Sequence, residues 1–433
     1  MRGDRIYYCI DMKSFYASVE CAERGLNPFE TDLVVADPSR GRGALCLAVS
    51  PKMKSRGVGG RARLFEIPKD IDYIAALPRM QLYIEYAADI YAMYLDYFDA
   101  SDIHVYSIDE SFIDVTDYLE LYRTTPQALA RKLMDEIAER LHIPSTAGIG
   151  TNLFLAKVAL DITAKHTPDH MGFLTEEEFR RTLWDHRPIT DFWQIAGGTQ
   201  RRLSRLGIHT MRQITQMPPE ILYREFGIDA ELLIDHAWGR ETCLMEDIKN
   251  YRSKSHSVSF SQILPRDYSY EEARTVMREM VLNGCHELMK RGVISKKIWI
   301  GINYTKNRLP TAHGHATLTG ATALYSRMEP EIMKVFDQIC DRRVAVRRLS
   351  ISYGDVCDEG CEGYDLFTDW HALEREKARE KAVLELSQKY GKNAVLRGTD
   401  FLAGATQRER NEMIGGHRAG YGESTESKTV SAV

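Results

Sequence analysis

Two periods divide the chain: alternation of apolar and polar residues predicts strands, and three-to-four-residue spacing predicts helices. Between Val105 and Val115, apolar Val105, Ile108, Phe112, Ile113 and Val115 flank a polar centre at 107–111. That pattern predicts a β-hairpin with Asp109 and Glu110 near its tip. Upstream, Ile6 to Ile10 is a short β-prone run ending at Asp11. Helical spacing follows, with Phe15, Val19 and Ala22 on one face and Ser14 as its cap. Helices are predicted over 81–97, with Leu82, Tyr83, Tyr86, Ile90, Met93, Tyr94 and Tyr97 inward, and over 126–141, with Leu129, Leu133, Ile137 and Leu141 inward. A strand at 146–150 and an apolar helix at 152–159 come next, with Asp161 and Lys165 beyond. Strand, helix, hairpin, helix, strand is the β-α-β-β-α-β order of a ferredoxin-like fold.

Inserted after the first helix, 33–36 and 44–49 read as strands, and 50–58 as a short basic helix ended by Gly57. Its Lys52, Lys54 and Arg56 suit either a triphosphate or a solvated face. Residues 171–245 are helical. Ile195-Ala196-Gly197-Gly198 followed by Arg201 and Leu206-Gly207-Ile208 reads as helix-hairpin-helix, whose amides can face a DNA phosphate, or as an ordinary helical turn. Residues 251–353 form a second α/β module, with strands at 257–260, 297–302 and 347–353 and helices over 271–291 and 328–340. The remainder, 355–433, holds an acidic Gly-containing stretch, a charged helix over 371–390, and a Gly-, Ser- and Thr-rich end past about 415 predicted to be disordered.

Composition sharpens this outline in three places. The 433 residues suffice for two to four domains, and 44% hydrophobic with 27% charged residues is ordinary for a soluble globular protein. No apolar run approaches membrane-spanning length and no signal peptide is visible, so a cytoplasmic location without membrane partners is expected. The net charge of -5 excludes a uniformly basic binder, yet residues 251–353 hold 17 Lys and Arg against 9 Asp and Glu. That local +8 leaves -13 elsewhere and marks the module as a binder of phosphate backbone or, more simply, a solvated basic face. The eight cysteines are scattered. Cys357 and Cys361 lack a second nearby pair for zinc, so reduced thiols are the simpler reading.

An isolated Asp-Glu pair is most simply an exposed acidic turn. Asp11, on a separate strand, changes the reading. Three carboxylates from two strands suffice for a two-metal site, and magnesium favours carboxylate and phosphate oxygens.

These stretches are recognisable together. Ile10 to Glu20 (IDMKSFYASVE), Tyr106 to Phe112 (YSIDESF) and Gly148 to Lys157 (GIGTNLFLAK) resemble the Y-family DNA polymerases, in the UmuC-like (ImpB/MucB/SamB) translesion branch. The resemblance runs from about residue 5 to about 353. It implies an α+β right hand: ferredoxin-like palm (1–30 and 80–170), small fingers (31–79), helical thumb with helix-hairpin-helix (171–245), α/β little finger (246–354) and a partly disordered C-terminal extension (355–433). It also implies template-directed synthesis past damaged bases by two-metal nucleotidyl transfer, at low fidelity, on primed template DNA with deoxynucleoside triphosphates. Asp11, Asp109 and Glu110 would be catalytic and, with the Met12 carbonyl, would hold two Mg2+ ions, for which Mn2+ can substitute. Phe15 and Tyr16 fall at the sugar-selecting pair, Tyr16 being the steric gate. Lys165 resembles the palm lysine that meets the triphosphate, although the local loop is one residue longer.

Two departures stand out. Where many relatives carry Tyr-x-x-Arg in the fingers, this chain has Pro51 and Lys54, a point charge without arginine's bidentate fork. The thumb hairpin lacks the usual Gly-Ile-Gly form. DNA contacts are expected at Gly197, Gly198, Arg201, Lys254, Arg347 and Arg348. Gly363-Tyr364-Asp365-Leu366-Phe367 resembles a weak sliding-clamp peptide, with Leu366 and Phe367 as its anchors, or is an ordinary loop. An accessory subunit is a further expected partner. Two competing readings are a nucleotidyl cyclase, which would lack a use for the gate pair and basic module, and a catalytically weak DNA- and clamp-binding accessory protein that keeps the fold.

Overall fold

The computed structural model describes residues 5–253, 257–361, 369–420 and 428–430. It divides into two compact units, one running to Tyr251 and taking back the chain from Gly420, the other Arg252–Ala419.

The first unit is built on a sheet whose central strand β1 (Tyr7–Met12) is buried almost throughout. Helix α1 (Phe15–Ala22) follows it. An insertion carries β2 (Leu33–Val35), β3 (Ala48–Val49), α2 (Pro51–Ser55) and β4 (Tyr73–Ala76). The chain returns through α3 (Met80–Leu95), the hairpin β5 (Ile103–Val105) and β6 (Glu110–Asp114), α4 (Thr116–Leu121), α5 (Pro126–Leu141), β7 (Ser145–Gly150), α6 (Leu153–Val158) and β8 (Met171–Leu174). The sheet order is β5-β6-β1-β7-β8, antiparallel except where β8 joins β7 in parallel. Its first four strands have the ferredoxin-like order, and β8 extends the edge.

Local chemistry explains the sharpest boundaries. Thr125 accepts a hydrogen bond from the Ala128 amide and Pro126 sits at the first turn, so α5 begins there. Ser14 does not cap α1 as expected from sequence. Its backbone is left-handed (φ 52°) and its side chain makes no cap, because Met12 and Lys13 remain tied to the sheet side through Asp109 and Pro144 carbonyls. Gly148 and Gly150 let α6 lie directly on β7, since a Cβ on either would overlap the Ala156 backbone. Beyond α6, Ala159–Thr163 widens into a π turn.

The insertion has its own small core of Val34, Cys46, Val49, Met53, Val58, Ile67 and Ala75. Here β2 pairs with β3 antiparallel and β4 parallel, and Lys428–Val430 adds antiparallel to β4. After β8 come α7 (Glu176–Thr182), α8 (Gly197–Arg205), α9 (Met211–Gln216), α10 (Pro219–Phe226), α11 (Asp229–Trp238) and α12 (Met245–Asn250). Leu203, Ile208, Met211, Ile214, Leu222 and Phe226 bury here against Phe154 and Leu155 of α6, so these helices share a core with the sheet layer. Ahead of the glycines at 197 and 198 stands one 3-10 turn, Ile189–Asp191, not the full helix that the helix-hairpin-helix reading expects.

The second unit contains β9 (Val258–Tyr268), α13 (Tyr270–Lys290), β10 (Val293–Tyr304), β11 (Ala312–Thr322), α14 (Tyr325–Ile339) and β12 (Val346–Gly354). The strands form an antiparallel sheet in the order β11-β10-β12-β9. Leu349, Ile351 and Tyr353 of β12 bury in the core with α13 and α14, while Arg348 is exposed and Trp299 of β10 is 44% exposed. Helix α15 (Trp370–Tyr390) packs on α13 through Glu380, whose carboxylate meets His286 at 2.8 Å and Arg397 at 3.0 Å. Past residue 415, where disorder is predicted, His417 pairs back to Ile414.

Candidate active site

The site grows out of the β1–β6 register. Asp11 lies opposite Glu110, and the Met12 amide donates to the Asp109 carbonyl at 2.9 Å. The tight turn at 106–109 is closed by the Tyr106 and Ser107 amides on the Glu110 carbonyl, each 3.0 Å. Ser107 Oγ donates to Asp109 Oδ1 at 2.7 Å and so orients that carboxylate. Asp11, Asp109 and Glu110 thereby lie near one end of the paired strands β1 and β6.

Their environments differ. The Asp11 side chain makes no hydrogen bond or ion pair among the described residues. Burial pushes its carboxyl up to about 7; Lys165 opposes that rise, while Asp109 and Glu110 add to it. Glu110 is 9% exposed and turned aside. Its Oε2 meets Lys157 Nζ at 2.8 Å, and its Oε1 accepts from Cys9 Sγ at 3.1 Å. Lys157 also reaches Asp161 at 3.0 Å, and Asp161 reaches Lys165 at 2.8 Å. Burial opposes the Lys157 charge, yet Cys9, Glu110 and Asp161 around it raise the ammonium pKa.

Lysines face this acidic end. Lys54 on α2 is exposed; desolvation by its surroundings and repulsion from Lys165 lower its pKa, and Asp11 and Asp109 pull the other way. Lys13 is lowered by desolvation and by repulsion from Lys54 and Lys165. Three ammonium groups that repel one another beside carboxylates suit a polyanion carrying its own cation. Lys13 carries no role in the sequence reading, although it stands only two residues after Asp11. Arg56, read with the basic helix, instead pairs with Asp32 at 2.8 Å.

Phe15 is buried, whereas Tyr16 is half-buried and its ring stacks on Tyr83 at 4.5 Å. Burial, then Asp109, raises the Tyr16 hydroxyl pKa, which places that group within the field of the carboxylates. Tyr83 donates to Glu20 at 2.7 Å, and Arg79 holds the same carboxylate at 2.9–3.0 Å. Tyr16 therefore leans on a braced aromatic wall.

The remaining expected contacts lie elsewhere. Gly197, Gly198 and Arg201 are exposed at the start of α8, which no side chain caps. In the second unit, Arg348 is exposed and donates to Ser261 Oγ at 3.0 Å, and Arg347 is half-buried beside an irregularity in the strand. Lys254, Leu366 and Phe367 lie outside the described residues.

Whether these groups fit divalent cations rests on the donor set. Among the described residues no group of three His, Cys, Asp or Glu side chains is already arranged to hold a metal ion, and Glu110 is held by Lys157. An unpaired, desolvated Asp11 beside Asp109, with Glu110 in register opposite, is nonetheless an arrangement that a divalent cation relieves. The residues fit.

A family model described as the impB/mucB/samB family matches residues 10–161, and its C-terminal domain model matches 255–366. The putative UV-damage repair protein UvrX of Bacillus subtilis (strain 168) is 31% identical over 95% of this chain and 97% of its own. The chain belongs to the impB/mucB/samB family. Another family relative, DNA polymerase IV 2 of the same organism, is 27% identical over 96% of this chain and 100% of its own. The Y-family DNA polymerase chimera of Dbh and Dpo4 shares the fold, with a TM-score of 0.63 and 22% identity over 82% of this chain and 99% of that one. The right-hand fold read from the sequence is thereby supported. No helix among the described residues is long and apolar enough to cross a membrane.

Proposed function

We propose that the β1–β6 end is the catalytic centre of a DNA-directed DNA polymerase that synthesises across damaged template. The observation that carries this is the register that sets Asp11 opposite Glu110, with Asp109 adjacent, under a rim of Lys13, Lys54 and Lys165. Asp11, Asp109 and Glu110, with the Met12 carbonyl, would hold two magnesium ions. Bound there, the cations supply acidification of the primer 3′-hydroxyl and neutralisation of the triphosphate. The chain's own part is positional. Ser107 fixes Asp109; the three lysines receive the triphosphate; Tyr16, backed by Tyr83, fills the space a ribose 2′-hydroxyl needs.

Lys54 serves in place of an arginine fork, giving charge without bidentate geometry. The exposed glycines at the start of α8 and the Arg348 face of the second unit supply sequence-independent backbone contacts. The clamp peptide at Gly363–Phe367 remains part of the proposal, as does an accessory subunit. Primer extension over an abasic site tests the reading, with the full chain, magnesium and all four deoxynucleoside triphosphates. Products extending beyond the lesion support it. Extension that stops at every lesion while undamaged template is copied would remove the translesion role.

A further inference from the structure

Glu110, one of the three proposed metal carboxylates, is held in a chain of four alternating charges. Glu110 pairs with Lys157 at 2.8 Å, Lys157 with Asp161 at 3.0 Å, and Asp161 with Lys165 at 2.8 Å. The chain begins at the proposed primer-end ligand and ends at the proposed triphosphate ligand. Burial is graded along it, because Glu110 and Lys157 side chains are each 10% exposed and Lys165 is 45% exposed. The π turn at Ala159–Thr163 separates the two lysines and leaves both of them on Asp161.

Resting on the polymerase reading, we infer that this chain couples nucleotide binding to completion of the primer-end metal site, with Lys157 and Asp161 as its positioning residues. A buried ammonium left with only a shared carboxylate is disfavoured, and Asp161, 3.0 Å from Lys157, is shared with Lys165. Glu110 therefore cannot leave Lys157 freely while Asp161 is shared with Lys165. A half-exposed pair such as Asp161–Lys165 is weak, and a triphosphate competes for it readily. When Lys165 turns to the triphosphate, Asp161 becomes a full partner for Lys157, and Glu110 is released toward the cation. Every charge stays paired in both arrangements: before, Lys157 with Glu110 and with an Asp161 shared with Lys165; then Lys165 with phosphate, Asp161 with Lys157 alone and Glu110 with metal. Such coupling is reciprocal, so metal at the primer end also tightens the nucleotide, by a factor on the order of ten.

Cys9 supplies a readout that is separate from turnover. Its thiol is buried and donates to Glu110 Oε1 at 3.1 Å, so its infrared S–H stretch reports whether Glu110 is in place. The Cys9→Ala difference spectrum identifies the band. The experiment uses the full chain on primed template with a dideoxy-terminated primer and Ca2+. Ca2+ alone is expected to leave the band at its hydrogen-bonded frequency, and Ca2+ with the complementary deoxynucleoside triphosphate to move it upward. Lys165→Ala, an exposed change that leaves Asp161 to Lys157 alone, is expected to let Ca2+ alone move the band. Asp161→Asn is expected to pin the band with nucleotide present, and to lower kcat about tenfold with KM for nucleotide within about threefold. A full shift with Ca2+ alone in the unaltered protein, or a wild-type response in both variants, would overturn the coupling. Failure of the nucleotide to bind the protein–DNA complex at all would instead overturn the polymerase reading beneath it.

Discussion

Replacing Asp11 by Asn removes a carboxylate that the fold holds at a cost until a cation arrives. In the folded chain this group keeps its proton up to about pH 7, against 3.8 for its ordinary value. Between those limits the folded state binds more protons than the unfolded one, so stability falls as pH rises through that window and is level above it. The interval between the two values corresponds to about 4 kcal/mol at most, because each pH unit that separates them is worth about 1.4 kcal/mol. At pH 8 in EDTA, Asp11→Asn is therefore expected to be more stable than the unaltered protein by up to about 4 kcal/mol, and at pH 5 by less than half as much. Magnesium should reverse this, stabilising the unaltered protein by mass action and the variant hardly at all. Urea denaturation at both pH values, with EDTA and with magnesium, measures each of these differences. If Asp11→Asn is no more stable at pH 8 in EDTA, or gains equally from magnesium, Asp11 is not a strained metal carboxylate.

Tyr16→Ala opens the space above the braced Tyr83 ring and is expected to raise ribonucleotide incorporation at least tenfold over deoxynucleotide; unchanged sugar selection in a competition assay removes the gate role. Arg348→Glu reverses charge on the exposed face of β12, so DNA affinity should fall uniformly across sequences and the log–log salt slope should shrink by about one to two in a fluorescence anisotropy titration. Gly148→Ala drives a methyl into the Ala156 carbonyl and is expected to destabilise the chain by about 1–3 kcal/mol or more in denaturant, lifting α6 and with it Lys157. A neutral effect there would mean that α6 does not depend on that close approach.

Period and capping carried the sequence reading furthest where both agreed. Inward Leu129, Leu133, Ile137 and Leu141 placed α5 at 126–141, and the Thr125 cap and Pro126 at its first turn bear that start out. The apolar flanks of Asp109-Glu110 marked a hairpin whose second strand runs 110–114. What stayed hidden depends on distant partners or rare backbone states. Ser14 looked like a cap, yet its left-handed conformation is imposed by the strand before it. Glu110 and Lys157 are 47 residues apart, so nothing local says that one restrains the other. Lys13 and Lys54 repel one another although they lie 41 residues apart in sequence, a tertiary fact. A readable signal did exist for Lys157 and Asp161, whose four-residue spacing is that of a helical ion pair. The charged helix over 370–390 was legible as a helix, but not the burial of Glu380 between His286 and Arg397.

The most direct measurement is single-turnover incorporation of one deoxynucleotide on primed template with magnesium, comparing the unaltered chain with Asp109→Ala at matched DNA occupancy. The expected result is incorporation by the unaltered chain and a loss of at least a thousandfold in rate for the variant, with DNA affinity within about twofold. Equal rates, or no incorporation by either protein on bound primed DNA, would contradict the assignment of the β1–β6 carboxylates as a polymerase active site.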